Sequence, residues 1–300
     1  MTISVSVPND LFKAAVEAYD GDVAVIEWDL NSPAPQESID LVLLPLISDK
    51  PDLSNLNSVE TRLVQASSIG YEHVMPHIGD KALANAATVH ETSTSELTLA
   101  LILAQLRGMQ RIVRSQDEGV WDTFTAPGLA DKKVLLIGYG GIGKAIAQRL
   151  LPFEVELYRV ASTHREDEQG TIYGTDEVKG LLPEMDVVIL IIPGNETTNG
   201  MVDDEFLSLM KDGSLIVNMA RGTVADTDAL VKHADRLKVA FDVVAPEPLP
   251  EGHPLYSHPN VLFSAHMGGY SDALWPRLRA LIHRQIDALS EERDPENIVN

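Results

Sequence analysis

Residues 3–7, 23–26, 41–44 and 63–65 are short aliphatic runs set between polar stretches, and each has the length and side-chain content of a buried strand. Between the first two, residues 10–18 place apolar positions at helical spacing, so the order is strand, helix, strand, and the sheet it predicts is parallel. A longer helix is predicted over 95–114, with Leu97, Ala100, Leu101, Ala104 and Met109 on one face and Thr94 or Ser95 placed to cap it before Glu96. It marks the expected domain boundary. A second series follows, with strands at 133–137, 155–158, 187–192, 214–218, 239–243 and 261–264 and helices at 141–151, 203–209 and 226–234. The chain closes on an amphipathic helix at 272–289 that is able to return to the first domain. No internal repeat or low-complexity tract interrupts the alternation, and both halves read as open α/β sheets.

Composition narrows the function. The 300 residues, 44% of them hydrophobic and 23% charged, suit a folded chain of two domains. With no cysteine, a disulfide framework, a thiolate metal site and a cysteine nucleophile are all excluded. The net charge of −22 argues against nucleic acid or an anionic membrane as partner. That charge concentrates in the first hundred residues, and the middle third is the least hostile to an anionic ligand. There is no cationic leader and no apolar run near the ~18 residues of a membrane span, so a cytoplasmic location is expected.

Gly138-Tyr139-Gly140-Gly141-Ile142-Gly143 is a GxGxxG that directly follows a predicted strand and opens a predicted helix. In that setting Gly138 makes the tight turn, Gly140 lets a pyrophosphate approach the backbone, and Gly143 lets helix and strand pack closely. The N–H groups around Gly141 and Ile142 then face the anion with the helix dipole behind them. A NAD site carries an acid at the end of the next strand to accept the ribose hydroxyls. Here the run 155–158 leads into Arg159, with Ser162 and Thr163 beyond it. A cation backed by hydroxyls suits a 2′-phosphate, so NADP(H) is the expected cofactor, with NAD possible. Glu154 and Glu156 are the fallback ribose partners, and the competing reading makes Arg159 and Arg165 solvated loop charges beside Glu166, Asp167 and Glu168.

Three further side chains follow predicted strand ends: Arg221, Glu247 and His266. Ligands of open α/β sheets bind at the carboxyl ends of strands, so the three are placed to converge on one crevice. A guanidinium holds a substrate carboxylate and polarises a carbonyl. A histidine delivers a proton to the carbonyl oxygen, or removes it in reverse, and a carboxylate beside it raises its pKa and fixes the ring. Asp242 is a second acidic candidate. Taken singly, each has an ordinary structural reading as an ion-pair, core or turn residue; their combination points to reduction of a 2-oxo acid. The other histidines show no zinc-ligand spacing on one helix, and no GxSxG is present, so no metal is expected.

These motifs resemble the D-isomer-specific 2-hydroxyacid dehydrogenase family. The resemblance runs from about Gln65 onward through 129–133, Ile192-Pro193 with Thr197-Thr198, 210–213, 218–222, 247–250 and 259–261, and the order Arg, Glu, His over the last third is specific to that family. It implies a flavodoxin-like substrate domain, residues 1–94 and 270–300, with a Rossmann dinucleotide-binding domain, residues 95–269, inserted in it and the active site in the cleft between them. It also implies that Ser68, Ile69 and Gly70 bind the substrate carboxylate alongside Arg221 and His266. Ile192, Pro193, Thr198, Met219, Ala220, Asp242 and Gly268 would line the cofactor. A homodimer is implied as well, formed by the helix near Ser95 and the Trp121 segment.

Four positions depart from the family pattern. Ser68 stands where glycine is frequent, Val244 where an aromatic is usual, Ala265 where proline commonly precedes the histidine, and Arg159 where NAD users carry aspartate. The first three bear on pocket shape and the fourth on cofactor choice. The acidic Glu247 disfavours formate dehydrogenase, whose pattern has glutamine there. The expected function is an NADPH-preferring reductase of small 2-oxo acids. The alternatives are a nucleotide-sensing, corepressor-like protein on the same scaffold and a reductase of an imine or simple aldehyde.

Overall fold

In the computed structural model, which describes residues 2–46 and 49–300, the aliphatic runs pair into two sheets. The chain divides into two units, Met1–His90 with Ser271–Asn300, and Glu91–Tyr270.

The first unit contains β1 (Ile3–Val7), α1 (Asp10–Glu17), β2 (Val23–Glu27), β3 (Leu41–Leu43), β4 (Leu63–Gln65), α2 (Met75–Ile78) and β5 (Leu83–Ala84). Its sheet has the order β2-β1-β3-β4-β5, all parallel, which is the flavodoxin-like order. Because alternate residues point to opposite faces, Val5, Leu41 and Leu63 pack into one apolar layer while Val42 and Val64 pack into the other. The chain's last helix joins this unit: residues 274–290 bury Leu278, Leu281, Ile282, Ile286 and Leu289 in the same layer as α1. Buried Gln285 is satisfied within it, donating to Gln65 Oε1 at 2.7 Å and accepting from Glu296 N–H at 2.9 Å.

The second unit runs α3 (Glu91–Leu106), α4 (Met109–Asp117), β6 (Lys133–Ile137), α5 (Gly141–Leu150), β7 (Glu156–Val160), β8 (Arg165–Asp167), β9 (Gly170–Tyr173), α6 (Val178–Leu181), β10 (Val187–Leu190), α7 (Asp204–Leu209), β11 (Leu215–Asn218), α8 (Thr227–His233), β12 (Lys238–Phe241) and β13 (Val261–Phe263); the helix of the first unit that follows is α9. The sheet order is β13-β12-β11-β10-β6-β7-β9-β8, the doubly wound order extended at both ends, with β8 antiparallel. Its central strands are apolar on both faces, as a sheet covered on both sides requires.

Three expectations change. The helix expected over 95–114 begins at Glu91 and breaks at Gly108, whose φ of 65° lies in the left-handed region that glycine occupies at little cost. The expected boundary after residue 94 therefore falls inside α3, whereas the unit boundary follows His90. The strand expected to end at residue 158 continues to Val160, because β6 on one side and β9 on the other both pair with it.

Candidate active site

The glycine-rich turn sits at the topological switch of the second sheet, where β6 is flanked by β7 and β10. At Gly138 the backbone takes φ 111°, and an added Cβ would stand 2.2 Å from Ile191 O; at Gly143 it would stand 2.1 Å from Gly138 O. Both distances are prohibitive, so these two glycines let strand, turn and helix lie in contact. Gly140 differs, since a Cβ there would meet nothing within 4 Å. The space is open, and Gly140 caps α5 without a side-chain hydrogen bond. The exposed backbone of Gly140 and Gly141, at the start of a ten-residue helix, fits a pyrophosphate. Sequence reasoning missed Glu91, the first residue of α3, whose Oε1 would lie 2.9 Å from a Cβ on Gly141.

Arg159 lies within β7 rather than beyond its end, and only 3% of it is exposed. Its guanidinium forms two hydrogen bonds to Asp167, at 2.8 and 2.9 Å, donates to Gly170 O at 2.9 Å and to Tyr139 Oη at 3.2 Å, and lies over the Tyr139 ring. It is therefore no solvated loop charge, and Asp167 on β8 is its ion-pair partner. Ser162 and Thr163 follow β7 and are exposed. Glu154 and Glu156 lie at the start of β7, the opposite end of the strand from the turn, which removes them as ribose partners.

Beyond β10, Ile192 and Pro193 lead into a turn closed by Thr198, which donates to Pro193 O at 2.7 Å and accepts from Asn195 N–H at 2.9 Å. Beyond β11, buried Met219 and Ala220 precede Arg221. Asn218 shapes this segment by accepting from Ala220 N–H and donating to Arg221 O, both at 3.1 Å. Gly222 allows it to dock on the next strand's end, because a Cβ there would lie 2.1 Å from Val244 O. The Arg221 guanidinium donates to Ala220 O at 2.8 Å.

Beyond β12, Asp242 is buried and spends its carboxylate on the loop that carries His266. It accepts from Ser264 Oγ at 2.6 Å and from the N–H groups of Met267 and Gly268 at 2.8 Å each, while its carbonyl accepts from His266 N–H at 2.7 Å. Asp242 and Gly268 are thus bonded to one another. His266 Nδ1 lies 2.8 Å from Glu247 Oε2, and Glu247 Oε1 accepts from Val244 N–H at 3.1 Å.

The electrostatics follow from this geometry. The hydrogen bond and charge of Glu247 hold the His266 pKa above its ordinary value, with Asp242 adding to the effect, against the opposing influence of burial and Arg221. Burial alone would push Glu247 up, but the hydrogen bond to His266 and its charge, Val244 N–H and Arg221 together hold it below the usual carboxylate range. The charge of Arg221 bears on both partners, lowering the pKa of each. Ser68, Ile69 and Gly70 lie in the first unit, after β4, where Ser68 Oγ donates to Gly70 O at 2.6 Å and Asn85 Nδ2 donates to Ile69 O at 2.9 Å. Among the described residues no group of His, Asp and Glu could hold a metal ion, and no helix is long and apolar enough to cross a membrane.

A doubly wound sheet with a glycine-rich turn at its switch defines a dinucleotide-binding protein of the Rossmann class. The chain belongs to the D-isomer specific 2-hydroxyacid dehydrogenase family, whose NAD binding domain it matches over residues 99–268. Among its relatives, the glyoxylate reductase of Thermofilum pendens is 30% identical over 273 residues, covering 86% of this chain and 80% of that protein. The human glyoxylate reductase/hydroxypyruvate reductase is 28% identical over 268 residues, covering 82% of each chain. The fold is shared with the NADPH-dependent glyoxylate/hydroxypyruvate reductase of Sinorhizobium meliloti, solved with NADP and sulfate: TM-score 0.84, 21% identity, covering 100% of this chain and 98% of that one. The protein is accordingly an NAD(P)-dependent 2-hydroxyacid oxidoreductase.

Proposed function

We propose that this protein reduces small 2-oxo acids of the glyoxylate and hydroxypyruvate class to D-2-hydroxy acids, with NADPH preferred, and that His266 is the proton donor. The observation that carries the reading is the 2.8 Å His266–Glu247 pair with the charge of Arg221 bearing on both. Glu247 accepts from Nδ1, so that nitrogen carries a proton and Nε2 is the atom that exchanges one with substrate. In the reductive direction the imidazolium donates from Nε2 to the carbonyl oxygen, and Glu247 holds the ring and stabilises its charge. Arg221 binds the carboxylate and polarises the carbonyl, a task suited to a planar cation that stays charged at any working pH. A bound nicotinamide dinucleotide supplies the hydride.

Gly138, Gly140, Gly141 and Gly143 with the start of α5 receive the pyrophosphate, and Ile192, Pro193, Thr198, Met219 and Ala220 border the cofactor. The NADPH preference is supported by Arg159 with Ser162 and Thr163, and by the NADP bound to the Sinorhizobium meliloti enzyme. We also assign the exposed face of α4 and Trp121 to a homodimer contact. Following NADPH and NADH absorbance with glyoxylate, hydroxypyruvate, pyruvate and branched 2-oxo acids tests the activity. NADPH oxidation with at least one short 2-oxo acid is expected; none with any of them contradicts the reading.

A further inference from the structure

The Arg159–Asp167 pair joins the glycine-rich turn to a hairpin. On one side the guanidinium meets Tyr139, a residue of the turn, through its hydroxyl at 3.2 Å and its ring at 5.0 Å. On the other side β8 and β9 fold the Asp167 carboxylate onto it in a two-point contact, with Gly170 O taking a further N–H. Asp167 is itself fixed, since its Oδ1 accepts from Gln169 N–H at 2.8 Å. The arginine side chain is 4% exposed, whereas that of Asp167 is 37% exposed, so the carboxylate is the solvent-side member of the pair.

An arginine presents its donors as a planar fork, and one edge of that fork serves one planar anion at a time. An anion approaching Arg159 from solvent therefore meets a partner already in place and like-charged. A carboxylate near this turn is also an acceptor for ribose hydroxyls, the role an acid plays in NAD sites.

We propose that Asp167 is a specificity-determining residue, which competes with the cofactor's 2′-phosphate for Arg159 and so limits the preference for NADP(H) over NAD(H). The inference rests on the reading that Arg159 faces the adenosine 2′ position. It also makes the preference a balance between two anions rather than a property of the arginine alone.

The test is calorimetric titration of wild-type, D167N and R159Q proteins with 2′,5′-ADP and with ADP, which isolates the 2′-phosphate from turnover. Removing the competing carboxylate charge should tighten 2′,5′-ADP about tenfold in D167N, which is ~1.4 kcal/mol. ADP should bind D167N no more tightly than wild type. R159Q should lose affinity for 2′,5′-ADP selectively. If R159Q shows that loss while D167N binds 2′,5′-ADP no tighter than wild type, the role of Asp167 is overturned and the Arg159 assignment survives. If neither variant changes 2′,5′-ADP binding, the Arg159 assignment falls and the Asp167 role with it, while 2-oxo acid reduction is untouched. Thermal unfolding gives a second reading. D167N should unfold at a lower temperature than wild type, and 2′,5′-ADP should raise its midpoint by more; an equal or smaller rise counts against the proposal.

Discussion

His266 adopts φ 52°, an uncommon conformation for a residue with a side chain, and its loop is held there by Asp242. Ser264, Met267 and Gly268 all donate to the Asp242 carboxylate, so the group expected to line the cofactor acts in the structure as the anchor of the histidine loop. Glu247 supplies the electrostatic half of the arrangement. In its proposed role as proton donor His266 acts in the protonated form during reduction, and a raised pKa keeps it protonated to higher pH. Activity is full below that pKa and declines as pH rises through it. Glu247→Gln keeps an acceptor for Nδ1 but removes the carboxylate charge that favours the imidazolium, so the alkaline limb of kcat/KM for reduction should move to lower pH. In the oxidative direction the neutral ring is the active form, and the onset of activity should move to lower pH as well. A pH profile with both limbs unmoved would show that Glu247 does not set the titration of His266.

At the scale of elements, legibility followed periodicity. The central strands β6, β10, β11 and β12 are unbroken aliphatic runs buried on both faces, and their length and spacing declare them. β8 and β9 carry no such signal. RED is exposed throughout and GTIY buries only Ile172, and the two exist as a hairpin at the sheet edge, with Gly170 at φ 99° just past the turn. That hairpin decides the environment of Arg159, so an arginine read as lying past a strand end proved to be buried in one. The placement of Arg221, Glu247 and His266 after neighbouring strand ends was legible, because the aliphatic runs that precede them are, and the His266–Glu247 contact joins two of them. Asn218, Ser264 and Asp167 were not singled out, because their value lies in hydrogen bonds to segments distant in sequence. Helix α4 raises a different matter. None of its residues is buried; Met109, Ile112 and Val113 are exposed, and Trp121 just beyond is 98% exposed. Clustered apolar exposure of this kind marks a protein contact. Ile112→Glu combined with Trp121→Glu should convert the proposed dimer to monomer in light scattering coupled to size exclusion; a persistent dimer would place its interface elsewhere.

For the whole molecule, a chain of net charge −22 that handles anionic ligands relies on local devices. The start of α5 offers backbone donors and a helix dipole, and Arg221 follows the end of β11. Arg159, the third such device anticipated from sequence, is already matched by an acid of the chain. The proposed reduction of a 2-oxo acid depends on His266 moving the proton. The most direct measurement compares wild type with His266→Ala for NADPH oxidation by glyoxylate, alongside NADPH binding followed by fluorescence. A fall in kcat of about 100- to 10,000-fold with NADPH affinity preserved is expected. A variant that binds NADPH and turns over at near wild-type rate would contradict it.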